Sequence, residues 1–293
     1  MKIGLQINKF NFKGHPDTIR EKLAEIASTA DKAGFDSIWV MDHYFQISPM
    51  LGRVSDPMME AYTVLGYLAA VTKKAKLGVL VNGVIYREPA FLVKQHSALD
   101  VLTGGRTYFG IGASWYRREA VGLGFFYPST KERFERLEEV LQIAKHMWLG
   151  KKGSYEGKHY QLQEPMNSPQ PISKPHPPIL IGGEGERKTL RLVAKYGDAC
   201  NVFSYAGIKH VAHKYEVLKG HCDDLGRNYD EIEKTVMSYT GVLGGPNAGR
   251  VIGHCEKLAK IGTDHVIFGV NNLAKIKPLE IFGNKIIPAV KKL

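Results

Sequence analysis

Residues 76–111, KLGVLVNGVIYREPAFLVKQHSALDVLTGGRTYFGI, contain the pattern that decides the fold. Two apolar runs of strand length, Lys76–Val81 and Arg106–Ile111, stand on either side of a segment with helical periodicity, Pro89–Leu102. The glycine pair Gly104-Gly105 separates that helix from the second run. Each run is apolar along its length, which is typical of strands buried on both faces of a parallel sheet. The segment therefore predicts a strand–helix–strand unit with a helical crossover.

The same alternation of apolar runs and helical segments continues along the whole chain. The predicted strands are Lys2–Ile7, Ser37–Met41, Lys76–Val81, Arg106–Ile111, Ile179–Ile181, Ala199–Phe203, Lys234–Tyr239 and His265–Val270. The predicted helices are Asp17–Ala33, Pro57–Thr72, Pro89–Leu102, Lys131–Trp148, Arg187–Tyr196, Lys209–Leu225, a seventh that ends at Ile261 and an eighth interrupted near Pro278. Strict alternation of this kind favours parallel strands joined by helices.

Strand–helix units repeated through 293 residues fit an α/β fold of the (β/α)8 TIM barrel type. The alternative is a doubly wound open sheet, whose first strand is usually followed by a G-x-G-x-x-G turn. No such turn follows Ile7. One segment, Leu149–Pro177, breaks the rhythm with SYEGKHYQL and many prolines, and we expect it to be an insertion with a small hairpin. We expect residues 1–293 to form a single barrel domain with insertion 149–177.

Composition excludes several classes of function. The chain has 40 basic and 29 acidic residues, a net charge of +11, but its basic residues are spread out and form no nucleic-acid-binding motif. No run of 18 apolar residues occurs, and the first residues lack a signal-peptide pattern, so we expect a cytoplasmic protein without a membrane span. The cysteines, Cys200, Cys222 and Cys255, form no C-x-x-C pair, which favours reduced, buried thiols over a disulfide or metal site.

In a barrel, chemistry is located at the carboxyl ends of the strands and in the loops that follow them. Asp42-His43 is the most polar pair at such a position. The imidazole of His43 can act as an acid or a base near neutral pH. The neighbouring carboxylate of Asp42 could accept a hydrogen bond from a ligand or orient the ring. We therefore expect His43 to be the catalytic residue.

Two glycine-containing segments predict a ligand with a planar ring and a phosphate. Ala113-Ser114-Trp115-Tyr116 follows a G-I-G stretch, which combines close backbone approach with a flat aromatic surface. Gly182-Gly183-Glu184-Gly185 lies between a strand and a helix, where backbone N–H groups favour an anion.

Three stretches together resemble a known family: SIWVMDHYFQ (residues 37–46), LVNGVIYREPAFLVKQHSALDVLTGGRTYFGIGASWY (residues 80–116) and PPILIGGEGERKTLRLVAKYGDACNVF (residues 177–203). They resemble the luciferase-like monooxygenase superfamily, and most of all its branch that uses the deazaflavin coenzyme F420. The resemblance runs from residue 1 to about residue 270. It implies a (β/α)8 barrel with an insertion and a long fourth helix, usually found as a homodimer.

The resemblance also implies roles for individual residues. Asp42 would hydrogen-bond the deazaflavin ring and His43 would lie beside its reactive carbon. A non-proline cis peptide within Leu80–Gly83 would back the ring. The implied cofactor contacts are Leu80, Val81, Asn82 and Gly83 at the ring, Ala113, Ser114, Arg118 and Ser204 along the tail, and Gly182 and Gly183 at the phosphate. Trp115 and Glu184 are also expected to bind the cofactor. Phe10 and Glu60 would line the substrate pocket.

One position departs from the family pattern. The sugar-phosphate dehydrogenases of the family place a catalytic glutamate where this chain has Trp115, so that reaction is not expected here. The main hypothesis is hydride transfer between F420 and a small organic substrate, with His43 handling the proton. The alternatives are a monooxygenase that uses FMN and a separate reductase, and a cofactor-binding paralogue without catalysis.

Overall fold

A computed structural model of the chain describes residues 1–151, 153–241, 244 and 247–293. Its main sheet is a closed barrel of eight parallel strands, which confirms the predicted fold. In chain order, the strands of the described residues are β1 (Lys2–Ile7), β2 (Ser37–Val40), β3 (Lys76–Val79), the two-residue β4 (Asn82–Gly83), β5 (Thr107–Gly112), β6 (Tyr155–Glu156), β7 (Gln161–Leu162), β8 (Ile179–Gly182), β9 (Ala199–Phe203), β10 (Glu233–Tyr239) and β11 (His265–Gly269). Strands β6 and β7 form a separate sheet outside the barrel. The barrel closes because β1 pairs with both β2 and β11, and β3 pairs with β5. Short β4 extends the end of β3 by pairing with β5.

The helices surround this barrel and follow the strands in sequence. They are α1 (Ile19–Ala33), α2 (Ala61–Val71), α3 (Pro89–Thr103), α4 (Arg117–Gly122), α5 (Thr130–Trp148), α6 (Thr189–Tyr196), α7 (Ile208–Leu225), α8 (Ala248–Ala259), α9 (Lys277–Ile281) and α10 (Ile287–Val290). Helix α4 was not predicted from the sequence. No helix in the described part of the chain is long and apolar enough to cross a membrane.

Two predicted helix starts were wrong. Helix α1 begins at Ile19 rather than at Asp17, and the preceding Thr18 makes no side-chain cap. Helix α2 begins at Ala61 because the carboxylate of Glu60 accepts the first free backbone N–H groups. Asp56, which directly precedes the predicted helix start at Pro57, does not cap the helix. Its carboxylate takes part in a local turn, where it accepts a hydrogen bond from the backbone N–H of Arg53.

The barrel interior is apolar and leads towards the candidate site. Trp39, Tyr108, Leu180, Met237 and Ile267 pack inside the barrel. Partly buried apolar side chains cover this cluster, namely Leu80, Val81, Phe203 and Tyr239. These four side chains lie at or just beyond the carboxyl ends of their strands and form an apolar floor there, on which a flat ligand can lie.

The insertion contains the expected hairpin, formed by antiparallel β6 and β7. Its Lys152 lies outside the described residues. Glu139 of α5 is buried and accepts hydrogen bonds from the backbone N–H groups of Lys158, His159 and Tyr160. This carboxylate therefore fastens the hairpin to α5. All three cysteines are buried and free, as predicted.

Candidate active site

His43 lies three residues beyond the end of β2, at the carboxyl end of the barrel. Its Nδ1 atom is 2.6 Å from Oε1 of Glu119, on the short helix α4. The ring is edge-on to the rings of Trp115 and Tyr116, at centroid distances of 5.7 and 5.8 Å. The side chain of His43 is 13% exposed. The partly exposed imidazole of His43 is therefore bordered by two aromatic rings, and its Nδ1 atom is held by the carboxylate of Glu119.

Glu119 is completely buried but fully provided with hydrogen-bond donors. The hydroxyl of Tyr86 donates to its Oε1 over 2.5 Å, and the backbone N–H groups of Tyr44 and Phe45 donate to its Oε2 over 2.8 and 3.0 Å. Burial opposes ionisation of this carboxyl, but the hydrogen bond and charge of His43 and the other donors outweigh it, so its pKa lies below the usual value. Glu119 is therefore a buried carboxylate that contacts His43.

The sequence did not point to Glu119. We considered Asp42 as the carboxylate that could orient the ring of His43, because the two residues are adjacent. Glu119 is separated from His43 by 76 positions and lies on a helix of six residues that has no clear apolar periodicity. Its position four residues beyond Trp115, in a loop following a barrel strand, was the available signal.

Asp42 does not contact His43 as an orienting carboxylate but is paired with Arg87. Its side chain is 3% exposed, and it accepts two hydrogen bonds from the guanidinium of Arg87 and one from the backbone N–H of Gly83. Arg87 also reaches the carboxylate of Glu60, the residue that caps α2. Burial disfavours the charge of Arg87, but the contacts with Asp42 outweigh it and raise its pKa. The Asp42–Arg87–Glu60 cluster thus fixes the segment after β3. The signal for Arg87 was its place in the stretch of residues 80–116 that carries the family resemblance.

A non-proline cis peptide joins Leu80 to Val81, within the segment where the family resemblance implied one. The Val81 side chain then lies against the ends of two neighbouring strands. A Cβ atom at Gly112 or Gly182 would come within 2.9 or 2.8 Å of its methyl groups. Glycine is required at these two strand ends because the Val81 side chain occupies the space.

Two polar atoms near this bend are buried and have no hydrogen-bond partner among the described residues. They are Oδ1 of Asn82 and Oγ of Ser114. The amide nitrogen of Asn82 donates to the carbonyl of Gly110 over 2.7 Å, which fixes the direction of the side chain. Ser114 has a positive φ of 61°, an uncommon conformation for a residue with a side chain. Buried polar atoms without a protein partner at strand ends are positions that a bound ligand or a water molecule can complete.

The glycine-rich loop after β8 presents its backbone to the same end of the barrel. The N–H of Gly183 donates to the carbonyl of Asn201, so this residue does not offer a free donor. The carboxylate of Glu184 accepts from the backbone of Phe203 and lies 3.2 Å from His210 on α7, and is thus turned away from the loop interior. No acceptor among the described residues pairs with the backbone N–H groups between Glu184 and the start of α6. These backbone N–H groups can bind an anion, whereas the negatively charged side chain of Glu184 would repel it.

The remaining residues expected in the site differ in their accessibility. Trp115 is 57% exposed, whereas Phe10 is 1% exposed and belongs to the core, so Phe10 does not line an open pocket. Arg118 is exposed. The carbonyl of Ala113 accepts from the guanidinium of Arg133 on α5, which holds the loop after β5.

Ser204, after β9, belongs to a chain of polar side chains. Its hydroxyl lies 2.7 Å from that of Ser238 on β10, which lies 3.0 Å from Nε2 of His254 on α8. Burial and the nearby Lys257 lower the pKa of His254. Ser204 is therefore held in place from behind, beside the glycine-rich loop. No cluster of His, Cys, Asp or Glu suited to a metal ion occurs in the described ranges of the chain.

Comparison with protein-family models places residues 1–243 in the family described as luciferase-like monooxygenase. Among curated proteins, the chain is 28% identical over 217 residues to an F420-dependent glucose-6-phosphate dehydrogenase of Kineococcus radiotolerans, covering 73% of this chain and 62% of that protein. It is 29% identical over 182 residues to an FMNH(2)-dependent dimethylsulfone monooxygenase of Pseudomonas putida, covering 61% of this chain and 47% of that protein. The matches thus span less than two thirds of the length of these relatives.

Solved structures share the fold over nearly the whole chain. An F420-dependent secondary alcohol dehydrogenase, solved with an F420-acetone adduct, superposes with a TM-score of 0.80 at 18% identity, covering 99% of this chain and 98% of the other. An F420-dependent tetrahydromethanopterin reductase from Methanopyrus kandleri gives 0.78 at 18% identity, covering 98% of each chain. Because the family model matches more than half of this chain, the chain belongs to the luciferase-like monooxygenase family.

Proposed function

We propose that this protein is an oxidoreductase that transfers a hydride between coenzyme F420 and a small organic substrate, with His43 handling the substrate proton. The observation that carries the proposal is the His43–Glu119 pair at the open end of the barrel. Curated relatives that use F420 support the choice of cofactor. Because Trp115 stands where the sugar-phosphate dehydrogenases have a glutamate, the substrate is not proposed to be a sugar phosphate.

The residues at the barrel end fit a deazaflavin. The unpaired Oδ1 of Asn82 and Oγ of Ser114 can contact the ring and the adjoining chain of the cofactor. The close approach of Val81 to Gly112 and Gly182 gives a flat apolar surface without side chains that would obstruct a ring. The free N–H groups after Gly183 can receive the phosphate. F420, when bound, supplies the carbon that accepts or gives the hydride.

The protein itself binds, orients and manages a proton. His43 exchanges a proton with the hydroxyl or carbonyl oxygen of the substrate. Trp115 and Tyr116, whose rings stack 5.1 Å apart, lie beside His43 and exclude water from one side of its ring. The Asp42–Arg87–Glu60 cluster keeps the segment after β3 in place and leaves the neighbouring His43 facing the open end.

A monooxygenase that uses FMN is the second candidate. It is supported by the similarity to the dimethylsulfone monooxygenase, whose identity over the matched region equals that of the F420-dependent relatives to within a few per cent. This candidate would need reduced FMN from a separate reductase and would consume oxygen.

A side-by-side titration of the purified protein with F420 and with FMN, followed by ring fluorescence, separates these candidates. We expect F420 to bind at micromolar or lower concentration and FMN to bind much more weakly. The reverse preference would support the monooxygenase and would be followed by an oxygen-consumption assay with reduced FMN. Failure to bind either would contradict the assignment of the site, and binding without turnover of any substrate would indicate a binding protein.

The role of His43 is tested by His43→Asn, with His146→Asn on α5 as the matched control. Turnover would be measured by the F420 absorbance in a screen of secondary alcohols and their carbonyl products. We expect His43→Asn to lower kcat by about a hundredfold, the contribution that a general acid or base commonly makes. F420 affinity should stay close to that of the parent protein. Parent-like turnover in His43→Asn would remove His43 from the mechanism.

A further inference from the structure

We propose that Glu119 is the positioning residue of the site: it holds His43 with its proton on Nδ1, so that Nε2 is the atom that takes or gives the substrate proton. This inference rests on the proposed function only for the use of Nε2 in turnover. The tautomer of His43 is a property of the protein alone and can be measured without a cofactor or a substrate.

The hydrogen-bond donors around Glu119 determine the tautomer. The N–H groups of Tyr44 and Phe45 can only donate, and both point at Oε2. The hydroxyl of Tyr86 donates to Oε1, which also faces Nδ1 of His43. A carboxylate with these partners accepts hydrogen bonds and has no proton to give, so Nδ1 must carry the hydrogen. Neutral His43 is then left with an unprotonated Nε2.

The same carboxylate balances the charge that His43 acquires when Nε2 takes a proton. Glu119 has no cationic partner other than His43 among the described residues. Other acidic groups nearby, Asp42 and Glu60, are paired with Arg87. A fully buried carboxylate therefore faces the imidazole without competition and stabilises its charged form.

The phenols around the pair are neutral and leave this charge balance unchanged. Burial raises the pKa of Tyr44 to about 12, and burial followed by the hydrogen bond to Glu119 raises the pKa of Tyr86 still further. Tyr116 donates its hydroxyl to the carbonyl of Gln46 and presents only its ring to His43. The proton between Nδ1 of His43 and Oε1 of Glu119 is thus carried by His43.

Two substitutions separate positioning from mere support of the loop. Glu119→Gln keeps the size and one oxygen, which can still accept from the N–H groups of Tyr44 and Phe45, but its amide places a donor near Nδ1. We expect this variant to move the hydrogen of His43 from Nδ1 to Nε2. Tyr86→Phe removes one donor to Glu119 and keeps the carboxylate, so it should keep the parent tautomer and serves as the matched control.

The decisive measurement is nitrogen NMR of the protein labelled with ¹⁵N-histidine, in the absence of cofactor. The resonances of His43 are assigned by their loss in His43→Asn. We expect a pyrrole-type Nδ1 and a pyridine-type Nε2 in the parent protein and in Tyr86→Phe, and the reverse in Glu119→Gln. A parent protein with its hydrogen on Nε2 would overturn the proposal, even if Glu119→Gln did not fold.

Turnover gives an independent test in the holoenzyme. Glu119→Gln should lower kcat by about ten- to a hundredfold with little change in KM, because proton transfer rather than binding is affected. The pH profile of kcat should also differ from that of the parent, because the imidazole of His43 then faces a neutral amide instead of a carboxylate. An unchanged pH profile would contradict the positioning role. Failure of F420 to bind would count against the proposed function and leave the NMR result intact.

Discussion

At the scale of single residues, the side chain of Val81 limits what can stand at two neighbouring strand ends. A Cβ at Gly182 would lie 2.8 Å from one Val81 methyl and 3.0 Å from the other. These contacts are shorter than the normal separation of carbon atoms, and the surrounding barrel is tightly packed. The shape of the apolar floor of the candidate site therefore depends on glycine at this position.

We predict that Gly182→Ala destabilises the protein by about 1–3 kcal/mol, as overpacking of a core commonly does. It should also weaken F420 binding, because the floor must shift. The control is Gly253→Ala in α8, where a Cβ meets no atom within 4 Å. That change should stabilise the helix by about 0.5–1 kcal/mol. Urea unfolding of both variants checks the prediction, and equal effects of the two would contradict it.

At the scale of elements, Arg87 joins three parts of the barrel end. Its guanidinium binds Asp42 after β2 and Glu60 at the start of α2, while Arg87 itself follows β4. Only 6% of its side chain is exposed. Removing one partner of a buried ion pair leaves the other charge without compensation, which costs far more than the loss of a surface pair.

Arg87→Ala is therefore expected to lower the free energy of unfolding by about 3–5 kcal/mol. Arg53→Ala is the control, because Arg53 pairs with Asp56 while 86% of its side chain is exposed. A pair whose cation is in solvent contributes much less to stability than a buried pair. Denaturant unfolding should rank the two variants clearly, and a loss at Arg87 no greater than that at Arg53 would show that the cluster does not support the barrel end.

The elements themselves were predictable where periodicity is strong. Apolar runs between helical segments predicted the barrel strands to within one or two residues of the observed ends. Helix α5 begins at Thr130, one residue before its predicted start, and Ser129 caps it. Helix α4 was missed because six residues are too few to show a period. Its Glu119 was missed with it. The single-domain organisation stays a prediction.

The pairing of distant residues could not be predicted from a local pattern. Asp42 and Arg87 are 45 positions apart, and His43 and Glu119 are 76 positions apart. In each case the two residues meet because strand ends and their loops converge at one end of the barrel. The sequence thus placed His43 at the carboxyl end of the barrel, where the structure has it, whereas the carboxylate that contacts His43 emerged only from the fold.

At the scale of the whole molecule, a polar network closes the other end of the barrel. Glu233 of β10 accepts hydrogen bonds from Lys2 of β1 and Tyr108 of β5, and lies 3.2 Å from His265 of β11. Burial opposes ionisation of Glu233, but His265, Lys2 and Tyr108 together lower its pKa to about 2. Four strands are thus joined through one carboxylate.

This pKa predicts a defined loss of stability in acid. A carboxyl whose pKa is lower in the folded than in the unfolded protein stabilises the fold above its unfolded pKa, near 4.5. That contribution is lost as the pH falls from about 4.5 towards 2. Glu233→Gln should therefore be less stable than the parent at pH 7, and the difference should shrink in acid. Glu231→Gln, at an exposed neighbour, is the control, and a difference independent of pH would contradict the assignment.

The outer surface of α2 and α3 bears on the homodimer that the resemblance implied. On α3, Phe91 and Leu102 are 58% and 75% exposed. On α2, the exposed positions include Gly66 and Ala70, and no residue from Ala61 to Val71 is charged. The exposed Lys94 on α3 is the charged residue beside Phe91. Exposed apolar surface with few charges is typical of an interface with another protein. We propose that a second copy of the chain covers this face.

Light scattering of the purified protein should then give about twice the chain mass of 32.7 kDa. Leu102→Glu should give a monomer, because an interface core excludes an unpaired charge. The control is Leu225→Glu at the end of α7, where the leucine is also exposed, and this variant should keep the parent mass. A monomeric parent protein would contradict the proposed dimer. A Leu102→Glu variant that stays dimeric would show that the interface does not include this face. Because α3 begins two residues after Arg87, a monomeric variant with weaker F420 binding would also link the dimer face to the candidate site.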